Sequence, residues 1–505
     1  MGQTLIPSSE ILSDTDVLFV FGSAAQGRLS KWLKENETRY LVFVEEEESL
    51  FLKAKENPFF SSQRVRLFYL SEEIYSQLSW EFVLMRFGYC CEDPEREERA
   101  SAFFARLEHF HRGVDLLASD SQDMGVKVLK NAYANLKHLP RSKLCDSLKN
   151  TCAGIPAILC GAGPSLDAAL ALLGDLADRA LIIAGGSAVK ALNAQGVTPH
   201  LYLNVDPEPP YRRFLEQDQF SQPFFYQGRL SSELLDMVPG PLVWIPDSGS
   251  YPLENWLASE CGIFTEPFDS GWTVSNVAAS LAAHLGCSPI ICIGMDFACG
   301  KETVYASGLS AEKNAEELIE VQPGVFSKKD WVMSAEWMGS CALKFPHLQW
   351  INASEGGIPL QGFKTCSLPE AVKGLPESVD IGGLAHALVT RAAPSGVSDE
   401  TVLAVRHKML SSFEKCASSC DDLLKVWEKY YPHSPLEKGD YALLEVELEQ
   451  QPCYRHFLLP LWNVWSRPIL RGASHPLEQH IHRLLFFKRA LEAHVSYLRS
   501  DACMY

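Results

Sequence analysis

Two hydrophobic rhythms run along this chain. Through roughly the first three quarters, short apolar runs end in glycine, serine or an acid and alternate with amphipathic stretches, as buried parallel strands and covering helices do. From about Ser398 the period changes to 3.6: Val402, Val405, Met409, Phe413, Cys416, Cys420, Leu423 or Leu424 and Trp427 recur at steps of three and four, and Ile481, Leu484, Leu485, Ala490, Leu491, His494 and Leu498 repeat the pattern. The expected fold class is α/β with three parts. These are a small N-terminal Rossmann-like domain over 1–125, a central Rossmann-like nucleotide-binding domain over 126–375, and a C-terminal helical bundle over 376–505.

The first part opens with Val17-Leu-Phe-Val-Phe-Gly22, a helical stretch, and the strand Tyr40-Leu-Val-Phe-Val44, which runs into Glu45-Glu-Glu-Glu48. Strand, glycine turn, helix and strand ending in an acid is the order of a mononucleotide-binding half, with Glu45 or Glu46 at the ribose position. The full GxGxxG is missing and four glutamates repel an anion, so an inherited scaffold with a solvated acidic loop is the favoured reading. Helical sequence from about Ala100 to Leu136 leads into the central part.

In that central part, Pro156-Ala-Ile-Leu-Cys-Gly-Ala-Gly-Pro-Ser-Leu-Asp167 predicts a strand, a tight loop through Gly161, Gly163, Pro164 and Ser165, and a helix start whose N–H groups and dipole suit a phosphate. A second strand ends at Gly185, Gly186 and Ser187, and a third delivers Asn204 and Asp206. Ser270, Thr273 and Ser275 open an apolar helix, as an anion site or as an ordinary cap. Asp296 follows another buried strand, and Glu355, Gly356 and Gly357 follow a further one, where they can close over a ligand. Ligands of open α/β sheets lie beyond the carboxyl ends of the strands, so all these residues are expected on one rim.

Composition narrows the partners. A net charge of −18 and the lack of a basic, aromatic-interleaved stripe disfavour nucleic acid. Fifteen scattered cysteines without a CxxC pair indicate a reducing compartment, with Cys160, Cys287 and Cys292 read as small buried hydrophobes and zinc at Cys416 and Cys420 disfavoured. The start lacks the basic and apolar regions of a secretory signal, and no apolar run reaches membrane-spanning length, so a cytoplasmic protein is expected. His480 and His482 are two apart and do not share a helix face, which disfavours a metal there. His200, His284 and His347 adjoin apolar runs and read as packed core histidines.

The central segments resemble the motility accessory factors, or Maf-type glycosyltransferases, and the archaeal 6-hydroxymethylpterin diphosphokinase MptE-like proteins that share their domain. The resemblance rests on Cys160-Gly-Ala-Gly-Pro-Ser-Leu-Asp167, Ala184-Gly-Gly-Ser187, Asn204-Val-Asp-Pro207, Gly271-Trp-Thr-Val-Ser-Asn-Val-Ala278, Leu285-Gly-Cys-Ser-Pro-Ile-Ile-Cys-Ile-Gly-Met-Asp-Phe-Ala298, Tyr305-Ala-Ser-Gly308 and Asn352-Ala-Ser-Glu-Gly-Gly357. It implies a sialyltransferase-like domain that passes a nonulosonic sugar from a CMP donor to Ser or Thr of a protein acceptor, with the Gly161–Ser165 loop near CMP. Such a reaction calls for a carboxylate that takes the acceptor proton or shields the developing cation, and Asp206 and Asp296, at strand ends, are the expected functional acids. Ala162 stands where such sialyltransferases usually have Asn, and no position of this chain is matched to their catalytic histidine. The diphosphokinase relatives imply the alternative, pyrophosphate transfer from ATP with Mg²⁺ held by Asp206 and Asp296. A non-catalytic nucleotide-binding or assembly protein is the third reading, and no cofactor beyond the nucleotide substrate is implied.

Overall fold

The computed structural model describes residues 15–23, 27–35, 38–62, 64–91, 93–209, 220–247, 251–300, 305–307, 309, 318–430, 439–470 and 476–500. Gly308 of the Tyr305-Ala-Ser-Gly segment lies outside them. The chain forms two compact units, Met1–Gln122 with Asn463–Arg471, and Asp123–Trp462 with Gly472–Tyr505.

The first unit is built on four strands, β1 (Val17–Phe21), β2 (Tyr40–Glu45), β3 (Val65–Tyr69) and β4 (Phe87–Cys90), all parallel in the order β3-β2-β1-β4. Successive side chains point to opposite faces, so Val17, Phe19 and Phe21 join one apolar cluster and Leu18 and Val20 the other. That is why an unbroken apolar run, rather than an alternating one, marks a strand covered on both sides.

The second unit holds a nine-stranded sheet. Its strands are β5 (Lys143–Leu144), β6 (Ala157–Cys160), β7 (Leu181–Gly185), β8 (Leu201–Asn204), β9 (Phe224–Tyr226), β10 (Leu242–Trp244), β11 (Ile290–Ile293), β14 (Trp350–Asn352) and β15 (Lys364–Thr365). Strands β12 (Ile319–Gln322) and β13 (Val325–Ser327) form a separate antiparallel hairpin. The order is β15-β14-β11-β6-β7-β8-β9-β10-β5, and every pairing is parallel. From β6 the chain winds outward through β7, β8, β9 and β10, then returns to place β11 on the other flank of β6. The β6/β11 boundary is therefore the topological switch point.

Helices Leu166–Leu176 and Gly125–Asn135 bury their apolar stripes on one face of this sheet, and Val274–Leu285 on the other. Helix Asp399–Tyr430 carries the 3.6 rhythm as read: Val402, Val405, Met409, Phe413, Cys416, Cys420, Leu423 and Trp427 are all buried. Helix Pro476–Leu498 packs along it. No helix among the described residues is long and apolar enough to cross a membrane.

Candidate active site

At the switch point the backbones after β6 and β11 are laced together. Gly161 N–H donates to Ile293 O and Gly163 N–H to Gly294 O, both at 2.8 Å. A Cβ on Gly161 would fall 2.3 Å from Gly294 O, so glycine is required here by loop-on-loop contact. Asp296 reaches under the same loop. Its carboxylate, in a residue only 4% exposed, accepts the Ser165 N–H at 3.1 Å at the start of helix Leu166–Leu176. A Cβ on Gly163 would lie 1.9 Å from its Oδ2. The helix start that suits a phosphate thus already holds an anionic side chain of the chain itself. Burial pushes the Asp296 pKa up, against the opposing pull of Ser165 and the backbone.

The loop after β14 leans on Asp296 from the other side. Ile358 N–H donates to Asp296 O at 2.9 Å and Ser354 Oγ accepts Met295 N–H at 3.0 Å, with Gly356 and Gly357 at positive φ and Glu355 exposed at the tip. One strand along, Gly185 lies against Leu203 O and Val274, while Gly186, at φ +54, faces open space beside the half-buried Ser187. After β8, the buried Asn204 Oδ1 accepts Asp206 N–H and the half-buried Asp206 Oδ1 accepts Glu208 N–H, each at 2.9 Å.

Ser270 is buried and bonded to Gln227 Nε2 at 2.7 Å, and Thr273 is the N-cap of helix Val274–Leu285, where Asn276 Oδ1 accepts the N–H groups of Trp272 and Thr273. Both therefore serve local structure, and Ser275 is half-buried in the first helical turn. Pro164 completes the glycine loop.

Strands β11, β6, β7 and β8 are consecutive neighbours, so Asp296, Gly161–Ser165, Gly185–Ser187 and Asn204–Asp206 follow one another along a single carboxyl edge. The ends carrying Asp206 and Asp296 are three strand spacings apart, about 14 Å. Each carboxylate is also bound to a backbone N–H. Among the described residues no cluster of three metal-capable side chains occurs.

The ribose reading of Glu45 fails in the first unit. Its fully buried carboxylate accepts Ser23 N–H and Oγ–H, Glu46 N–H, Glu47 N–H and the Arg96 guanidinium at 2.8 to 3.2 Å, which leaves no lone pair for a sugar. His347 is exposed, which corrects its reading as a core histidine; it lies in the turn after helix Lys329–Lys344. His200 Nδ1 accepts Ile182 N–H, His284 Nε2 bonds Cys145 O, and His480 stacks on Trp427.

Sequence reasoning missed the continuation of the rim past β8. Asp247, after β10, and Glu254, in helix Pro252–Glu260, are buried acids facing each other and Arg229, which follows β9. Their strands are three residues long and too short to stand out by periodicity.

With this geometry in view, residues 130–302 match the family model described as 6-hydroxymethylpterin diphosphokinase MptE-like. A solved MAf glycosyltransferase from Magnetospirillum magneticum AMB-1 is similar in fold over 99% of this chain and 85% of that one, with a TM-score of 0.57 at 16% identity. No curated protein matches the chain. The central segment is thus similar to MptE-like domains, and the chain as a whole has a fold similar to that of the MAf glycosyltransferase.

Proposed function

We propose that this protein is a Maf-type glycosyltransferase that moves a nonulosonic sugar from a CMP donor to a Ser or Thr hydroxyl of a protein acceptor. The observation that carries the reading is the delivery of the loops after β11, β6, β7 and β8 to one edge at the switch point, within a fold similar to that of a MAf glycosyltransferase. CMP is a good leaving group, so the site's task is orientation and charge management rather than covalent help.

In the proposed reaction the bond between the anomeric carbon and the CMP phosphate breaks, positive charge develops on that carbon, and the acceptor oxygen bonds to it. Asp206, half-buried at the rim, takes the hydroxyl proton. Gly186 leaves open space at the next strand end, through which the donor phosphate reaches the helix start at Ser165. Asp296 fixes the glycine loop and stands beside that phosphate.

The test is incubation of the purified protein with CMP-activated nonulosonic acids, with free CMP followed by mass spectrometry and Asp206→Asn as the control expected to lose transfer. The family match favours a second reading, pyrophosphate transfer from ATP to a hydroxymethylpterin. Thermal stabilisation separates the two, since a ligand at a hundred times its Kd adds about 2.7 kcal/mol. Stabilisation by CMP alone supports sugar transfer. Stabilisation confined to ATP with Mg²⁺ refutes it.

A further inference from the structure

Helix Gly125–Asn135 presents Lys127, Asn131 and Asn135 at successive steps of four, on one face. All three meet the loops that leave β8 and β9. Lys127 pairs with Glu208. Asn131 Nδ2 donates to Pro207 O at 3.0 Å and to Arg229 O at 3.1 Å, while its Oδ1 accepts Ser232 N–H at 3.4 Å. Asn135, 2% exposed, donates from Nδ2 to Gly228 O at 2.9 Å and Leu230 O at 2.6 Å. Two carboxamides thus satisfy four carbonyls that no sheet ladder reaches. Asp206 lies between the clamped points: Pro207 follows it directly, and its own carbonyl accepts Ser231 N–H at 3.1 Å.

We propose that Asn131 and Asn135 are positioning residues that hold the Asp206 loop at the sheet edge in its working geometry. The role of Asp206 rests on the transferase reading; the clamp itself rests on the hydrogen bonds. Only a carboxamide does this task at that size. An Asp side chain offers no donor and sets a negative charge against carbonyl oxygens, and Leu leaves the same carbonyls without partners.

The experiment uses the full chain with Asn131→Asp and Asn131→Leu, chosen because Asn131 is half-buried and the fold tolerates change there better than at the buried Asn135. Two quantities are read: hydrogen–deuterium exchange over 201–209 and 227–232 without ligand, and steady-state transfer from a CMP-activated nonulosonic acid. Both variants are expected to exchange faster in these two segments while the 157–160 strand stays protected. Their kcat is expected to fall about tenfold to a hundredfold at an unchanged donor KM, the sign of misplaced chemistry rather than lost binding. Wild-type exchange in both variants overturns the clamp. Faster exchange with wild-type kcat overturns its bearing on the reaction. Faster exchange in variants of a wild type that consumes no CMP-sugar refutes the transferase reading while the clamp stands.

Discussion

Glu254 gives the sharpest physical test of the second unit. Its residue is 5% exposed, and among the described residues neither carboxyl oxygen has a partner at full hydrogen-bonding geometry. Burial, with the negative Asp247 beside it, raises its pKa from 4.5 to about 8, against the pull of Arg229 and the nearby N–H groups of Gly228 and Arg229. The folded state therefore holds the proton more tightly than the unfolded chain. The contribution to stability is full below pH 4.5 and is lost as pH rises to about 8. At about 1.4 kcal/mol per pH unit, that interval amounts to about 3 kcal/mol by pH 7 and about 5 kcal/mol beyond pH 8. Glu254→Gln keeps the shape and removes the titration. Urea unfolding of both proteins from pH 5 to pH 9 should show the wild type weakening on the alkaline side while the variant lacks this decline and overtakes it. Parallel curves across the range refute the assignment of a buried, proton-holding Glu254.

Further outcomes follow from the same kind of reasoning. Gly163→Ala drives a methyl into Asp296 Oδ2 and should destabilise the chain by about 1–3 kcal/mol, measured by urea unfolding. Arg96→Met strips the buried Glu45 of its cation and should lower stability of the first unit by about 3–5 kcal/mol. Because Ser23 and then Arg96 hold the Glu45 pKa below its usual value despite burial, the wild type should lose that stability as pH falls through the carboxylate range; calorimetry at pH 7 and pH 4 checks both. Trp427→Ala empties a fully buried site in the long helix and should cost about 3–5 kcal/mol, with loss of helical signal at lower urea.

Much of the architecture was legible because period and burial coincide. Strands β1, β2, β6, β7 and β11 are covered on both faces, so they read as unbroken apolar runs, and the Val402 to Trp427 stripe faces a core along its whole length. The shared edge was legible as well, since chain order and parallel winding fix which strand ends lie together. What stayed hidden depends on long-range contact. Strands β9 and β10 have three residues each and leave no periodic trace. Asn131 and Asn135 look like ordinary surface amides until their partners, about a hundred positions away, are brought beside them. Glu45 shows the converse: it ends a strand where a ribose-binding acid would stand, though without the full GxGxxG, and Arg96 and the local N–H groups consume the carboxylate.

Asp296 carries this tension between structure and ligand into the proposed site. A donor phosphate approaching helix Leu166–Leu176 meets a carboxylate already bonded to the Ser165 N–H, and two anions at one helix start repel strongly in a buried setting. Protonating Asp296 removes the conflict and turns the acid into a donor toward the phosphate, and burial already shifts its pKa in that direction. Binding of CMP at this helix start should therefore take up a proton. In the range where free Asp296 is ionised, affinity should fall by up to about tenfold per pH unit as pH rises. Asp296→Asn should bind CMP with a flatter pH dependence, retaining only the part due to the nucleotide's own phosphate. Calorimetric titration in buffers of different ionisation enthalpy counts the protons directly. Equal proton uptake in wild type and Asp296→Asn would place the phosphate away from Ser165, at the open turn of Gly186 and Ser187, and would leave Asp296 as the keystone of the glycine loop alone.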